Sequence, residues 1–389
     1  MSLKNKIYNL FFSIFFYLII FISNFKKIRF LQIETRRFGH MSEPIEIHIL
    51  EKKKFEQNFK NSLDIYFPEK IISNYYLWSR WRKIFNITIN DKILRFFCEP
   101  LFKMALKKNM EKLLIPFRHN ARSLSGINKK GIVWQTHDIN NVLSSAPPII
   151  SFSQDEEDYA KKILVNNNIS KNDKIILLTI RDEEYYNNIY RLKKEQNKHR
   201  NSDIGIFSDL IAYLCNKDFK VVRMGKIVKE KVDYKHPNFF DYAVSKIRSD
   251  FLDIYLFNIS NFIISNGTGL DSVAALFRKK ILYLNYGELT SFNTYYNNNI
   301  AFIYPRKFIY EHKEKLNLIE IYDRKITNFT SNSEFDENKI QFGDLNVNEQ
   351  IKATDEMIDF MNSGYRKENI DLNDQLFKFL KKNFIKNIG

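Results

Sequence analysis

The stretch Lys174-Ile175-Ile176-Leu177-Leu178-Thr179-Ile180-Arg181-Asp182 decides how this chain folds. Its apolar residues run on without alternating with polar ones, so the segment has no wet face. That pattern fits a strand buried on both sides in a parallel sheet, and Arg181-Asp182 marks its carboxyl end. Reading outward, the same pattern returns. Phe219-Lys220-Val221-Val222-Arg223-Met224-Gly225 predicts a second strand, Asn261 to Ser265 a third and Lys280 to Asn285 a fourth. Between them Ile204 to Cys215, Ser249 to Phe257 and Leu270 to Phe277 have helical spacing. Strands alternating with helices at these intervals predict a doubly wound α/β domain. Upstream of it, Asp155 to Asn166 opens on acidic residues that suit the positive end of a helix.

The first part of the chain repeats the theme. Ile28 to Thr35 predicts a strand that breaks at Arg36-Arg37-Phe38-Gly39-His40, and Ser42 with Pro44 starts a helix carried by Ile45 to Phe55. Ser62 to Phe67 supplies a further strand, and Glu69 to Phe85 and Leu94 to Lys108 read as helices. Strand, loop and helix in this order open a Rossmann-like domain. A chain of 389 residues is too long for one ordinary core. The expected divisions are a hydrophobic segment at 1–27, an N-terminal Rossmann-like domain at 28–148 and a C-terminal one at 149–345. The irregular Pro147-Pro148 lies at the boundary, and closing helices fill 346–389, at Glu349 to Asn362 and Asp374 to Phe384.

With 44% hydrophobic and 27% charged residues the composition is globular and excludes a disordered chain. The net charge of +16 suits nucleic acid, an anionic membrane or a diphosphate-bearing substrate. Lysines are spread over both halves and no nucleic-acid-binding module is visible, so nucleic acid is set aside. Cys98 and Cys215 stand far apart without metal-type spacing, and read as core residues in a reducing compartment. Residues 7–25 carry no charge, close to the roughly 20 residues that span a bilayer. No small-residue cleavage site follows, which favours a retained anchor. Lys26, Lys27 and Arg29 outweigh Lys4 and Lys6, which places the body on the cytoplasmic side. The alternative is a helix lying in the interface or packed on the body.

In open parallel sheets ligands bind at the carboxyl ends of the strands. Here those ends carry Arg181-Asp182-Glu183, Arg223-Met224-Gly225 and Ser265-Asn266-Gly267-Thr268-Gly269. The glycines let a tight turn approach a ligand, and Thr268 and Gly269 would offer backbone N–H groups to a phosphate. An ordinary strand-to-helix connection explains the same turn with equal ease. The long charged loop from Asp182 to Asp203 ends in His199-Arg200-Asn201-Ser202-Asp203. Asn201, Ser202 or Asp203 could simply cap the next helix. His199-Arg200 is not explained that way: the guanidinium suits diphosphate oxygens and the imidazole a proton. In the first domain, Arg37, Gly39 and His40 lie at the end of the opening strand, on the side expected to receive an acceptor. His40 and Glu43 are the candidate bases there, and a lipid-binding basic cluster is the alternative.

The ordered set Arg-Phe-Gly-His (37–40), Ile-Arg-Asp (180–182), His-Arg-Asn-Ser-Asp-Ile (199–204), Val-Arg-Met-Gly (222–225), Asp-Tyr-Ala (241–243) and Ser-Asn-Gly-Thr-Gly-Leu (265–270) resembles a family of bacterial glycosyltransferases of surface-polysaccharide and O-antigen synthesis. A more distant likeness runs to GT-B fucosyltransferases. The resemblance covers residues 28 to 290. It implies the GT-B architecture, with two Rossmann-like domains facing across a cleft, and a nucleotide sugar held mainly by the second domain. It implies Arg181 and Arg200 as diphosphate binders with Thr268-Gly269 as backbone donors. Asn201, Asp203, Arg223, Gly225, Ser265, Asn266 and Gly267 complete the expected donor side, and His199 joins His40 and Glu43 as a catalytic candidate. The partners so implied are a nucleotide-sugar donor, a glycan or lipid-linked acceptor, and the membrane through residues 7–25. No cofactor is expected, and no Asp-x-Asp suggests a metal. One departure is visible: Arg278-Lys279-Lys280 stands where the family has a Gly-x-Pro turn. An epimerase-like nucleotide-sugar enzyme and a non-catalytic membrane scaffold are the rival readings. A dehydrogenase is disfavoured, because no Gly-x-Gly-x-x-Gly follows either opening strand.

Overall fold

The computed structural model describes residues 3–55, 62–115, 138, 142–170, 172–190, 198–287, 301–311, 314–326, 329 and 331–364. The chain divides into two compact units, Met1–Pro147 and Pro148–Gly389.

The first unit contains α1 (Leu3–Ile22), β1 (Lys27–Ile33), α2 (Glu43–Lys54), β2 (Ser62–Pro68), α3 (Tyr75–Ile84), α4 (Asp91–Lys107) and α5 (Val142–Ser145). β1 and β2 pair in parallel from Lys27 opposite Ser62 to Ile33 opposite Pro68, with α2 in the connection between them. Phe30 makes a further parallel bridge to Leu114. The helix expected from Glu69 starts only at Tyr75. The intervening backbone is committed elsewhere: Glu69 N–H donates to Ile33 O, and Ser73 N–H and Oγ both donate to Thr35 O at 2.8 Å. Asn74 then caps the helix, its Oδ1 accepting from Leu77 N–H. Phe12, Phe16 and Ile19 of α1 share one core with Phe30, Phe67, Leu94, Leu101 and Phe102.

The second unit runs α6 (Gln154–Val165), β3 (Lys174–Thr179), α7 (Glu184–Tyr190), α8 (Ser208–Asn216), β4 (Phe219–Arg223), β5 (Phe239–Phe240), α9 (Leu252–Ile259), β6 (Phe262–Ser265), α10 (Asp271–Leu276), β7 (Lys280–Tyr286), β8 (Ala301–Pro305), β9 (Lys307–Tyr310), β10 (Glu314–Lys315), α11 (Leu318–Asp323), α12 (Asn332–Glu337), β11 (Ile340–Gly343) and α13 (Val347–Ser363). Its main sheet has six strands in the order β5-β4-β3-β6-β7-β8, every pair parallel. A small antiparallel sheet, β10-β9-β11, follows. Ile175, Ile176, Leu177 and Leu178 are all buried, as an unbroken apolar run requires of a central strand. Ile176 and Leu178 face the core formed with α8 and α13, through Leu210, Leu214, Ala353 and Met357. α9 and α10 pack against β3, β6 and β7. The α/β class and the parallel sheet are therefore as the apolar runs predict.

The differences have local causes. The helix expected over Ile204 to Cys215 is a 3-10 turn at Ile204–Phe207 followed by α8, because Asp203 Oδ1 accepts from Gly205 N–H and opens a tighter turn. The loop expected from Asp182 contains α7. β5, β10 and β11 have no sequence signal, being two to four residues long and too short to show a period. The helix expected over 374–384 lies outside the described residues.

Candidate functional site

The main sheet changes direction between β3 and β6. From β3 the chain moves outward through β4 to β5, then crosses back to β6 and moves the other way through β7 to β8. In open α/β sheets the crevice for a nucleotide lies outside the strand ends at such a reversal, because the two connections diverge there. Thr179 of β3 sits opposite Ser265 of β6, so the chain leaves this point as Ile180-Arg181-Asp182 on one side and Asn266-Gly267-Thr268 on the other.

Asn266 ties the reversal point together. It is 1% exposed. Its Oδ1 accepts from Arg181 N–H at 2.7 Å, and its Nδ2 donates to Arg200 O at 3.1 Å with a longer bond to Arg181 O. Ser202 N–H donates to Arg181 O at 3.0 Å, and Arg181 Nε donates to Asn201 Oδ1 at 3.2 Å. One carboxamide thus fixes two arginine backbones side by side at the strand ends. Both arginines are partly exposed.

Arg306 holds the Arg200 segment from another direction. Its Nη1 donates to Lys198 O at 3.0 Å and His199 O at 3.2 Å, while Nε and Nη2 donate to Asp344 Oδ1 at 2.8 and 2.5 Å. Gly287 is pressed against the same strip, so that a Cβ there would stand 1.9 Å from His199 O. Neither Arg306 nor Asp344 was singled out by sequence, since both lie beside strands without a readable period.

The glycine turn is built differently from the expectation. Gly267 has φ +99°, and a Cβ on it would meet the Tyr286 ring at 3.0 Å, so glycine is needed twice over. Its neighbours do not offer a row of N–H groups to a phosphate. Gly267 N–H donates to Ser265 Oγ, Leu270 N–H to Thr268 Oγ1, and Thr268 N–H to Asp271 Oδ2. Asp271 also receives Ser265 Oγ at 2.6 Å and Thr268 Oγ1 at 3.1 Å. Burial pushes the Asp271 carboxyl up to about 6, against the downward pull of these hydrogen bonds. The turn is thus an internally satisfied loop around a buried acid, with Gly269 as its exposed member. Sequence reading missed Asp271, although an acid at the first position of a helix was the available signal.

Other candidates fall in packing or bracing roles. Arg223 is 3% exposed, its Nη1 donating to Glu230 O at 2.7 Å and Asp241 Oδ2 at 3.2 Å, so its charge is spent inside the protein. Gly225 is small because Val228 and Ala243 leave no room for a Cβ. Asp203 is the cap described above. His199 is 4% exposed and lies against the rings of Phe335 and Phe342, so its ring is packed inside the second unit. Asp182 braces the site, its carboxylate accepting from Glu184 N–H and from Lys229 N–H at 2.8 Å.

In the first unit Glu43 is 0% exposed at the start of α2, so this candidate base lies inside the unit. Gly39 is buried. His40 is partly exposed, and its Nδ1 lies 2.6 Å from Glu34 Oε2. Arg37 Nε and Arg36 Nη2 also approach Glu34, at 3.3 and 3.7 Å. Burial alone would raise the Glu34 carboxyl, but the His40 hydrogen bond and the charges of His40, Arg37 and Arg36 hold it down at about 2. An ionised Glu34 accepts the Nδ1 proton, so whenever the ring gives up one proton the lone pair falls on Nε2. Glu34 was not singled out by sequence: its carboxylate reaches His40 only because β1 ends in a tight turn.

No family model matches the chain, and no curated protein matches it. Among solved structures it is similar to the glycosyl transferase family 9 protein of Veillonella parvula, at 9% identity and a TM-score of 0.42, over 80% of this chain and 95% of that one. It is also similar to the E. coli ADP-heptose LPS heptosyltransferase II, at 14% identity and a TM-score of 0.38, over 77% and 97% of the two chains. A third similarity is to S. aureus MnaA in a co-structure with UDP, at 13% identity and a TM-score of 0.32, over 67% and 79%. The fold assignment rests on the strand order and pairing of the chain itself.

Proposed function

We propose that this chain is a glycosyltransferase of the GT-B type, moving a hexosyl or deoxyhexosyl group from a nucleotide diphosphate sugar to a glycan or lipid-linked acceptor. The observation that carries this reading is the Asn266 carboxamide holding the Arg181 and Arg200 backbones together at the reversal of an all-parallel sheet. A site of that kind suits a phosphate-bearing ligand, because guanidinium groups bind phosphate oxygens through charge-assisted, paired hydrogen bonds.

In the proposed reaction the bond between the sugar carbon and the diphosphate oxygen breaks, and its electron pair leaves with the nucleoside diphosphate. Arg181 and Arg200 offset the charge that develops there, with Asn201, Thr268 and the Gly269 backbone at the rim. The acceptor hydroxyl oxygen forms the new bond to the sugar carbon and its proton passes to a base; the candidate we name for that base is His40, whose ring Glu34 holds by Nδ1. Arg37 keeps Glu34 ionised, so its part is positioning. The pathway we assign is bacterial surface-polysaccharide synthesis, including O-antigen, on the cytoplasmic face of the inner membrane. No metal takes part in this reading.

A thermal-shift screen against nucleotide sugars tests the donor, since stabilisation grows with occupancy. Arg181→Ala or Arg200→Ala should weaken nucleoside diphosphate binding by ~1.5–3 kcal/mol, the range for hydrogen bonds to charged groups. Unchanged affinity in calorimetry would remove both residues from the site. Turnover of the nucleotide sugar with no acceptor present would favour an epimerase instead.

A further inference from the structure

Helix α1 is long and apolar enough to cross a membrane by length and composition. Its packing is that of a different arrangement. Phe12, Phe16 and Ile19, at helical spacing in the middle of the apolar run, are buried in the core that also holds Phe30 of β1, Phe67 of β2 and Leu94, Leu101 and Phe102 of α4. Tyr8 and Phe12 meet the ring of Phe96, while Tyr17 meets Lys108 at the other end of α4. The two helices therefore lie alongside each other in the same direction. Along α4, the Glu99–Lys103 ion pair lies between these two contacts. Were α1 to cross the bilayer with its core contacts intact, that pair would enter the hydrocarbon, which is costly for each charge.

The opposite face of α1 is uncovered. Leu10 and Ile14 are each 63% exposed, Phe21 is 60% exposed, and Leu18 lies on the same face. Phe96 and Phe97 on α4 extend the apolar strip. Basic residues gather at its end: Lys26, Lys27, Lys107, Lys108 and Lys112 are exposed, with Lys108 Nζ 5.5 Å from the centre of the Tyr17 ring and Lys112 Nζ 3.1 Å from Asn24 Oδ1. An apolar strip beside ammonium groups and an aromatic hydroxyl complements an anionic lipid surface, with hydrocarbon under the strip and phosphates at the lysines.

We propose that α1 and the exposed face of α4 form a monotopic seat on an anionic bilayer, with α1 lying in the interface instead of spanning it. The seat stands independently of the sugar-transfer reading, because none of its residues belongs to the donor site. The test uses the full chain and flotation with phosphatidylcholine vesicles, with and without phosphatidylglycerol. Binding is expected to depend on phosphatidylglycerol and to fall with salt. Ile14→Asp or Leu18→Asp should weaken partitioning roughly ten-fold or more, because each removes an apolar side chain from the lipid. Both positions face outward, so the melting temperature should hold; Ile14→Ser and Leu18→Ser provide the uncharged check. On inverted membrane vesicles, protease should reach an N-terminal tag and the body from the same side. A tag protected while the body is digested would establish a span and overturn the proposal. Loss of self-association in these variants, with no vesicle binding by the parent, would assign the face to a second copy and overturn it equally.

Discussion

Asn266→Asp changes one group in a side chain of nearly constant volume, and the structure says what that group does. Asn266 Oδ1 accepts from Arg181 N–H at 2.7 Å, a bond an aspartate oxygen can keep. Its Nδ2 donates to Arg200 O at 3.1 Å, and an ionised carboxylate would instead place oxygen against oxygen at a site 1% exposed. Losing the donor and leaving a buried carbonyl unsatisfied costs about 1–3 kcal/mol, and the buried charge adds to it, so a total of about 2–4 kcal/mol is expected near neutral pH. The introduced carboxyl escapes part of that cost by staying protonated, since the acid form can donate to Arg200 O. Its folded pKa is therefore raised above the unfolded value of about 3.9. Stability is then retained below that value and lost as pH rises through the folded pKa. Urea unfolding at several pH values measures this as a midpoint that falls with pH, at unchanged slope. Asn261→Asp is the control. The Asn261 Oδ1 accepts from Ile175 N–H at 2.7 Å at the opposite end of β6, and a carboxylate keeps that bond. It should shift stability by no more than about 0.5 kcal/mol, the range of ordinary surface changes. If Asn266→Asp and Asn261→Asp unfold alike at neutral pH, the carboxamide does not hold the site and the reasoning fails.

Gly267→Ala should cost about 1–3 kcal/mol, because alanine is strained at φ +99° and its Cβ would meet the Tyr286 ring at 3.0 Å; a thermal melt equal to the parent would show that the turn relaxes freely. Glu34→Gln bears on the acid limb of stability. Glu34 is held at about 2 against an ordinary 4.5, so its contribution is present above 4.5 and lost as pH falls through about 2. The substitution should flatten acid unfolding in that window, and an unchanged acid midpoint would show that the His40 contact is not made in solution.

The alternation of strands and helices in the second unit is legible from the amino-acid order alone. Ile175 to Leu178 and Phe262 to Ile264 are apolar without a break, and Lys220 and Arg223 alone interrupt Phe219 to Met224; a sheet covered on both faces buries such runs. The sequence also placed Arg181 and the Asn266-Gly267 turn at strand ends, since strand polarity is fixed by chain direction, and Arg200 in the long loop that follows the first of them. It did not reveal which strands are neighbours. That order puts β3 beside β6 and so brings Arg181, Asn266 and Arg200 together across stretches of chain that share no local signal. Burial was equally hidden. Arg223, His199 and Glu43 look like site residues in a linear reading because charge is legible and its partner is not; Asp241, the Phe335 and Phe342 rings, and the packed start of α2 decide their environments. The same holds for α1, whose composition suits a span but whose Phe12, Phe16 and Ile19 are taken up by a core assembled from β1, β2 and α4. Composition and period are properties of neighbours along the chain, and the partners of a buried charge or an apolar face are set by contacts far apart in sequence, which only the tertiary structure supplies.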